Sequence, residues 1–169
     1  KEKTRLRVQA AVEQLGYSPN FGARALAAKR TNTIGAIVPT MENAIFARAL
    51  QSFQEELNNS GVTLLVASSA YKPEVEAEQI RTLVARGADG LLLIGHQRDP
   101  ALYEFLEKQG VPTLIAWVHD EAASRPSIGF DNRAAMATLT ENVLALGHKH
   151  IAMISANTSV NDRARARVV

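Results

Sequence analysis

Residues 34–67 read IGAIVPTMENAIFARALQSFQEELNNSGVTLLVA, and this stretch decides the fold. It opens on a short apolar run, IGAIVP (34–39), and closes on another, VTLLVA (62–67). Runs of this length, bounded by Pro, Gly or small polar residues, read as strands, and strands apolar on both faces are buried on both sides. Between them, 43–59 reads as a helix. Ile45, Ala49, Phe53 and Leu57 recur along one face, with Phe46 and Leu50 beside them. Strand, helix and strand in this order imply a right-handed unit of a parallel sheet.

The alternation continues downstream. GLLLIG (90–95) and PTLIAW (112–117) are further strands, and 74–86 (Ile80, Leu83, Val84) and 100–108 (Leu102, Phe105, Leu106) are further helices. It then breaks: 118–127, VHDEAASRPS, carries no helical pattern. A short strand at 128–130, a helix at 132–146 ending at Gly147, a strand at 150–155 (HIAMIS) and a helix at 161–169 follow. The pattern predicts one sheet closing near residue 130 and a second α/β unit beginning there. There are no internal repeats and no low-complexity tracts.

Upstream, 4–15 reads as a helix that Thr4 can cap. Val8, Ala11, Val12 and Leu15 form its stripe and Gly16 ends it. Tyr17-Ser18-Pro19-Asn20 is a turn. Residues 20–29 have helical composition, but they are few, contain Gly22 and offer only Phe21, Leu26 and alanines to a core. An isolated helix that short is marginal in water, so the segment is expected to be poorly ordered unless something outside the domain holds it.

Charge divides the chain in the same place. Residues 1–30 hold seven Lys/Arg against two acids, and the remainder holds 12 against 15. A basic front on a mildly acidic body points to a polyanion partner for the front alone, or to a solvated helix face. Hydrophobic residues at 46% predict a packed core, and no apolar run approaches the ~18 residues of a membrane span. With no cysteine, disulfides, thiolate metal sites and a cysteine nucleophile are excluded, which agrees with a cytoplasmic setting.

No phosphate-binding glycine loop and no nucleophile elbow is present. His148 and His150 flank Lys149 at the end of a predicted helix, where cations complement the dipole. Asp89, Asp120, Glu121 and Asp131 sit at turns, so neither catalysis nor a metal or cofactor is expected. In an open α/β sheet, ligands bind beyond the carboxyl ends of the strands. Those ends carry Pro39 to Asn43, Ser68 to Tyr71, Gly95 to Arg98 and Trp117 to Asp120. Aromatic, amide and charged groups together suit a sugar-sized polar ligand, and they equally suit exposed loops.

Specific residues resemble the LacI/GalR family of bacterial transcriptional regulators. The matching elements are Thr4-Arg5-x-Arg7-Val8, Leu15-Gly16-Tyr17-x-Pro19-Asn20, Ala23-Arg24-x-Leu26 and Thr33-Ile34-Gly35 before an apolar strand. Ala88-Asp89-Gly90-Leu91, Asp131-Asn132, Leu146-Gly147-His148-Lys149-x-Ile151 and a late Arg match further on. The resemblance implies an α/β fold, a two-lobed sensor like periplasmic binding proteins, with parallel sheets flanked by helices. The remnant of an all-α helix-turn-helix headpiece precedes it. The implied divisions are 1–18 for the last headpiece helix, 19–32 for a hinge helix and linker, 33–130 for the first lobe, and 131–169 for the start of the second.

The resemblance also implies roles. Thr4, Tyr17, Asn20, Ala23, Arg24 and Lys29 would lie on operator DNA, with Leu26 wedged into the minor groove; such a wedge unstacks a base step at a cost that contacts on bent DNA repay. Ile45, Phe46, His96, Trp117 and Arg167 would face a small sugar-like effector between the lobes. Homodimerisation through the helices 43–59 and 74–86 would couple effector to DNA. The rival readings are a free sugar-binding protein of the same fold, which would need a signal peptide and no basic front, and a small α/β enzyme.

Overall fold

The computed structural model describes residues 2–18, 20–120 and 123–168, with all side chains in them except those of Phe21 and Arg24. The chain forms two compact units, Lys1–Thr31 and Asn32–Val169.

The first unit holds α1 (Glu2–Gln14) and α2 (Phe21–Ala28). Helix α1 starts at Glu2, so Thr4 lies inside its first turns and does not cap it. Its end is a Schellman turn at Gly16, with φ +59°. The Gly16 amide donates to Glu13 and that of Tyr17 to Val12, at 3.2 and 3.0 Å. No residue of α1 is buried, and Val8 and Leu15 are exposed. Residues 21–28, of helical composition, form a helix. Asn20 caps it, its Oδ1 accepting from the Ala23 amide at 3.1 Å, a contact that stabilises a helix start by about 1 kcal/mol.

The second unit is built on β1 (Thr33–Val38), β2 (Thr63–Ser68), β3 (Gly90–Ile94), β4 (Thr113–Ala116) and β5 (Ser127–Ile128). All pair in parallel, in the order β2-β1-β3-β4-β5. Helices α3 (Ala44–Asn59), α4 (Pro73–Ala85) and α5 (Pro100–Lys108) make the crossovers. Asn43 and Asp99 cap α3 and α5, and Pro73 and Pro100 occupy first-turn positions that need no amide donor.

Register explains the core. Ile37, Leu93 and Ile115 lie opposite one another across three strands, and each is at most 1% exposed. They pack with Ile80 and Leu83 of α4 and Leu102 and Leu106 of α5. A second cluster joins Val38, Ile94 and Ala116 to Phe46 of α3, with Leu50, Leu92 and Trp117 against it. Within α3 the buried seam therefore starts at Phe46, while Ile45, expected on the apolar face, is 54% exposed.

Beyond β5, α6 (Asn132–Ala145) is capped by Asp131, whose Oδ1 accepts from the Arg133 and Ala134 amides. The expected strand at 150–155 is not formed. A strand needs a ladder partner, and no described residue supplies one, so Ile151, Met153 and Ile154 remain exposed. The last element is α7 (Asp162–Val168), which packs against α6.

Candidate functional site

Every residue expected at DNA falls in the first unit. Thr4 is exposed on α1, and Tyr17, Asn20, Ala23 and Lys29 are exposed around α2. Leu26 is 83% exposed on α2, and no described residue of its own unit covers it. The side chain of Arg24 lies outside the described residues.

The candidate site of the second unit lies at the carboxyl ends of its strands. The strand order reverses direction between β1 and β3, the switch point at which open sheets bind ligands. Phe46 and Trp117 meet there as a tilted aromatic pair, with ring centroids 5.1 Å apart and planes at 56°. Trp117 adopts φ +64°, a left-handed conformation that costs a non-glycine residue about 1–2 kcal/mol. Gly129, just after β5, lets the chain pass close to this turn, because a Cβ there would lie 2.5 Å from the Val118 amide nitrogen and 2.8 Å from the Trp117 carbonyl carbon.

One buried amide ties this aromatic pair to α7. Asn132 is 4% exposed. Its Nδ2 donates to the carbonyls of Trp117 (3.0 Å) and Phe130 (3.3 Å), and its Oδ1 accepts from Nε of Arg167 at 2.9 Å. Phe46, Trp117 and Arg167, three of the five expected effector residues, are thus brought into one constellation. Asn132 is the residue that sequence reasoning missed, noted only as part of a motif. The other two expected residues stand apart among the described contacts. Ile45 sits exposed in the first turn of α3. His96 joins a neighbouring cluster through its backbone, while its ring Nε2 is buried without a hydrogen-bond partner among the described residues.

That neighbouring cluster is charged. Asp162 Oδ2 accepts from the amides of His96 (2.5 Å) and Gln97 (3.0 Å), and Oδ1 accepts from the amide and Nη1 of Arg163. Arg163 is 7% exposed, and burial pushes its guanidinium below the ordinary arginine value while the Asp162 carboxylate pushes back. Below them, the buried Arg98 donates to Glu76 (2.9 Å), the Tyr103 hydroxyl and the carbonyls of Ile94 and Gly95. Gly95 carries φ +74°, and a Cβ on it would fall 2.2 Å from Arg163 Nη1 and 2.4 Å from Asp162 Oδ1. Arg98 and Gly95 stood in the sequence as loop residues; nothing local marks their partners.

An apolar groove of ≈ 550 Å³, lined by Ile34, Phe53, Leu57, Leu92, Leu106 and Leu114 among others, opens on another part of this unit. Among the described residues, no three His, Asp or Glu side chains gather as metal ligands, and no helix is long and apolar enough to cross a membrane.

A family described as periplasmic binding proteins and the sugar binding domain of the LacI family matches residues 31–168. The chain belongs to this family. The HTH-type transcriptional regulator GntR of Escherichia coli K12 is 30% identical over 150 residues, covering 89% of this chain and 45% of that protein. A LacI-family transcriptional regulator from Silicibacter pomeroyi superimposes with a TM-score of 0.87 at 27% identity, over 99% of this chain and 50% of the other. The lac repressor dimer, solved on operator with the anti-inducer ONPF, gives 0.80 at 25% identity, over 99% and 51%. The chain spans about half the length of the curated relatives it matches. These relatives are transcriptional regulators and a repressor.

Proposed function

We propose that this LacI-family chain is part of a sequence-specific transcriptional repressor. A small polar metabolite, a sugar or sugar acid, binds between two lobes (33–130 and 131 onward) and controls operator affinity. The observation that carries the reading is Leu26. A capped eight-residue helix in a basic segment holds a leucine 83% exposed, and the same chain continues into a sugar-binding fold. An uncovered leucine costs hydration in the free protein and suits a wedge between base steps, with Thr4, Tyr17, Asn20, Ala23, Arg24 and Lys29 on phosphate, sugar or groove edge.

In this reading Phe46, Trp117 and Arg167 contact the effector, with Ile45 and His96 at the margin. Effector moves the lobes, and a cytoplasmic homodimer formed through α3 and α4 transmits the change to paired α2 helices, with a coupling of ~1–3 kcal/mol. A free sugar-binding protein of the same fold would leave residues 1–31 without a role. Fluorescence anisotropy of the intact protein on fragments of its own promoter region is the test. Tight binding to a near-palindromic site, weakened strongly by Leu26→Ala and falling linearly in log K with log salt, is expected. Failure of the native protein to bind any fragment at low salt would overturn the reading.

A further inference from the structure

Two charged side chains meet on one peptide group. The peptide joining Gly95 to His96 offers its carbonyl to Nη1 of Arg98 at 2.5 Å and its amide to Oδ2 of Asp162 at 2.5 Å. A peptide unit is planar and stiff, so its two ends move together. A cation at the carbonyl and an anion at the amide polarise it in the same sense, and each bond strengthens the other. The flanking groups repeat the arrangement. The Ile94 carbonyl accepts from Nη2 of Arg98 at 3.0 Å, and the Gln97 amide donates to the same Asp162 oxygen at 3.0 Å. Arg98 is tied in turn to Glu76 of α4 at 2.9 Å, with its own side chain 1% exposed. The Tyr103 hydroxyl of α5 fastens the turn by accepting from Arg98 at 2.9 Å and donating to the His96 carbonyl at 3.0 Å. Because a Cβ at position 95 would strike Asp162 and Arg163, this close approach requires the glycine.

We propose that Asp162 is a positioning residue, and that the line from Asp162 through the 95–97 turn and Arg98 to Glu76 carries displacement of the second lobe to α4. The proposal rests on the two-lobed, dimeric reading and supplies a connection within it. In that reading Asp162 belongs to the second lobe and α4 to the dimer face of the first, so the line joins the part that moves to the part that transmits. Its links are charge-assisted hydrogen bonds, which are short and directional. Helix α3 meets the site through the apolar contact of Phe46 with Trp117, which is non-directional and yields by sliding. Displacement of the second lobe therefore acts on α4 in preference to α3.

The test is hydrogen–deuterium exchange of the intact protein, read by mass spectrometry without DNA or effector. Asp162→Ala is expected to speed exchange at least about ten-fold in 95–98 and also in α4, while α3 stays within about three-fold of native. Faster exchange confined to 95–98 and the neighbourhood of residue 162 would mean a local contact only. Equal acceleration of α3 and α4 would mean general loss of stability. Either result overturns the inference. Coupling is reciprocal, so Glu76→Gln, which keeps an acceptor but removes the charge, is expected to speed exchange in α7 and leave α3 unmoved. This variant decides the matter should Asp162→Ala fail to fold, and native exchange of α7 in it overturns the inference. Because neither operator nor effector enters the measurement, the relay stands or falls separately from the promoter-fragment test of the proposed function.

Discussion

Nε of Arg167 donates to Oδ1 of Asn132 at 2.9 Å across 35 positions of sequence, and the same amide holds the Trp117 carbonyl. Residues 117, 132 and 167 are therefore one mechanical group. Arg167→Ala is expected to weaken the effector response about 10–100-fold, the range for loss of a charge-assisted hydrogen bond, with operator binding in the absence of effector retained. Effector titrations of operator release read this directly, and an unchanged response would remove Arg167 from the site.

Trp117 is the single tryptophan of this sequence, and it stacks on Phe46. Effector arriving beside it should shift its emission. Fluorescence titration of the intact protein and of Trp117→Phe separates this signal from any other tryptophan. A titration unaltered by that substitution would place the ligand elsewhere.

Gly95 and Gly61 both have positive φ, yet a Cβ on Gly61 would meet open space while one on Gly95 would strike Arg163 and Asp162. Gly61→Ala is expected to cost about 1 kcal/mol, the backbone penalty alone. Gly95→Ala is expected to cost at least about 2 kcal/mol more as the charged pair is displaced. Urea denaturation of both variants gives the comparison, and equal losses would show that the Asp162–Arg163 pair yields freely.

The side chains of Arg98 and Glu76 are 1% and 15% exposed. Glu76→Ala leaves a buried cation without its carboxylate and is expected to cost about 3–5 kcal/mol. Lys108 and Glu104, 3.8 Å apart and largely exposed, make the internal control. Glu104→Ala should cost no more than about 0.5 kcal/mol. Thermal unfolding of the two variants would expose any error in this ordering.

The parallel sheet was legible because each of its four longer strands is a short apolar run and each crossover helix carries its own periodicity. The run 150–155 has the same appearance and forms no strand, because pairing is a property of two segments and the pattern reports one. The same limit hid the site's crosspiece. Asn132 looks like any residue after a helix cap, and its partners lie 15 and 35 positions away. Phe46 and Ile45 are adjacent, and only the seam against Val38 and Ile94 decides which of them turns inward. In α2 the Asn20 cap and four alanines among its eight residues carry the helical signal that the composition of 20–29 shows, despite Gly22.

Leu26 touches no core, so exchanging it for serine or lysine should leave the thermal midpoint of the protein almost unmoved. Any selection that scores variants by abundance, protease resistance or melting will be blind at this position. On the proposed reading, the requirement for leucine is written in a molecule other than the protein, and only a screen that reads occupancy of DNA would recover it.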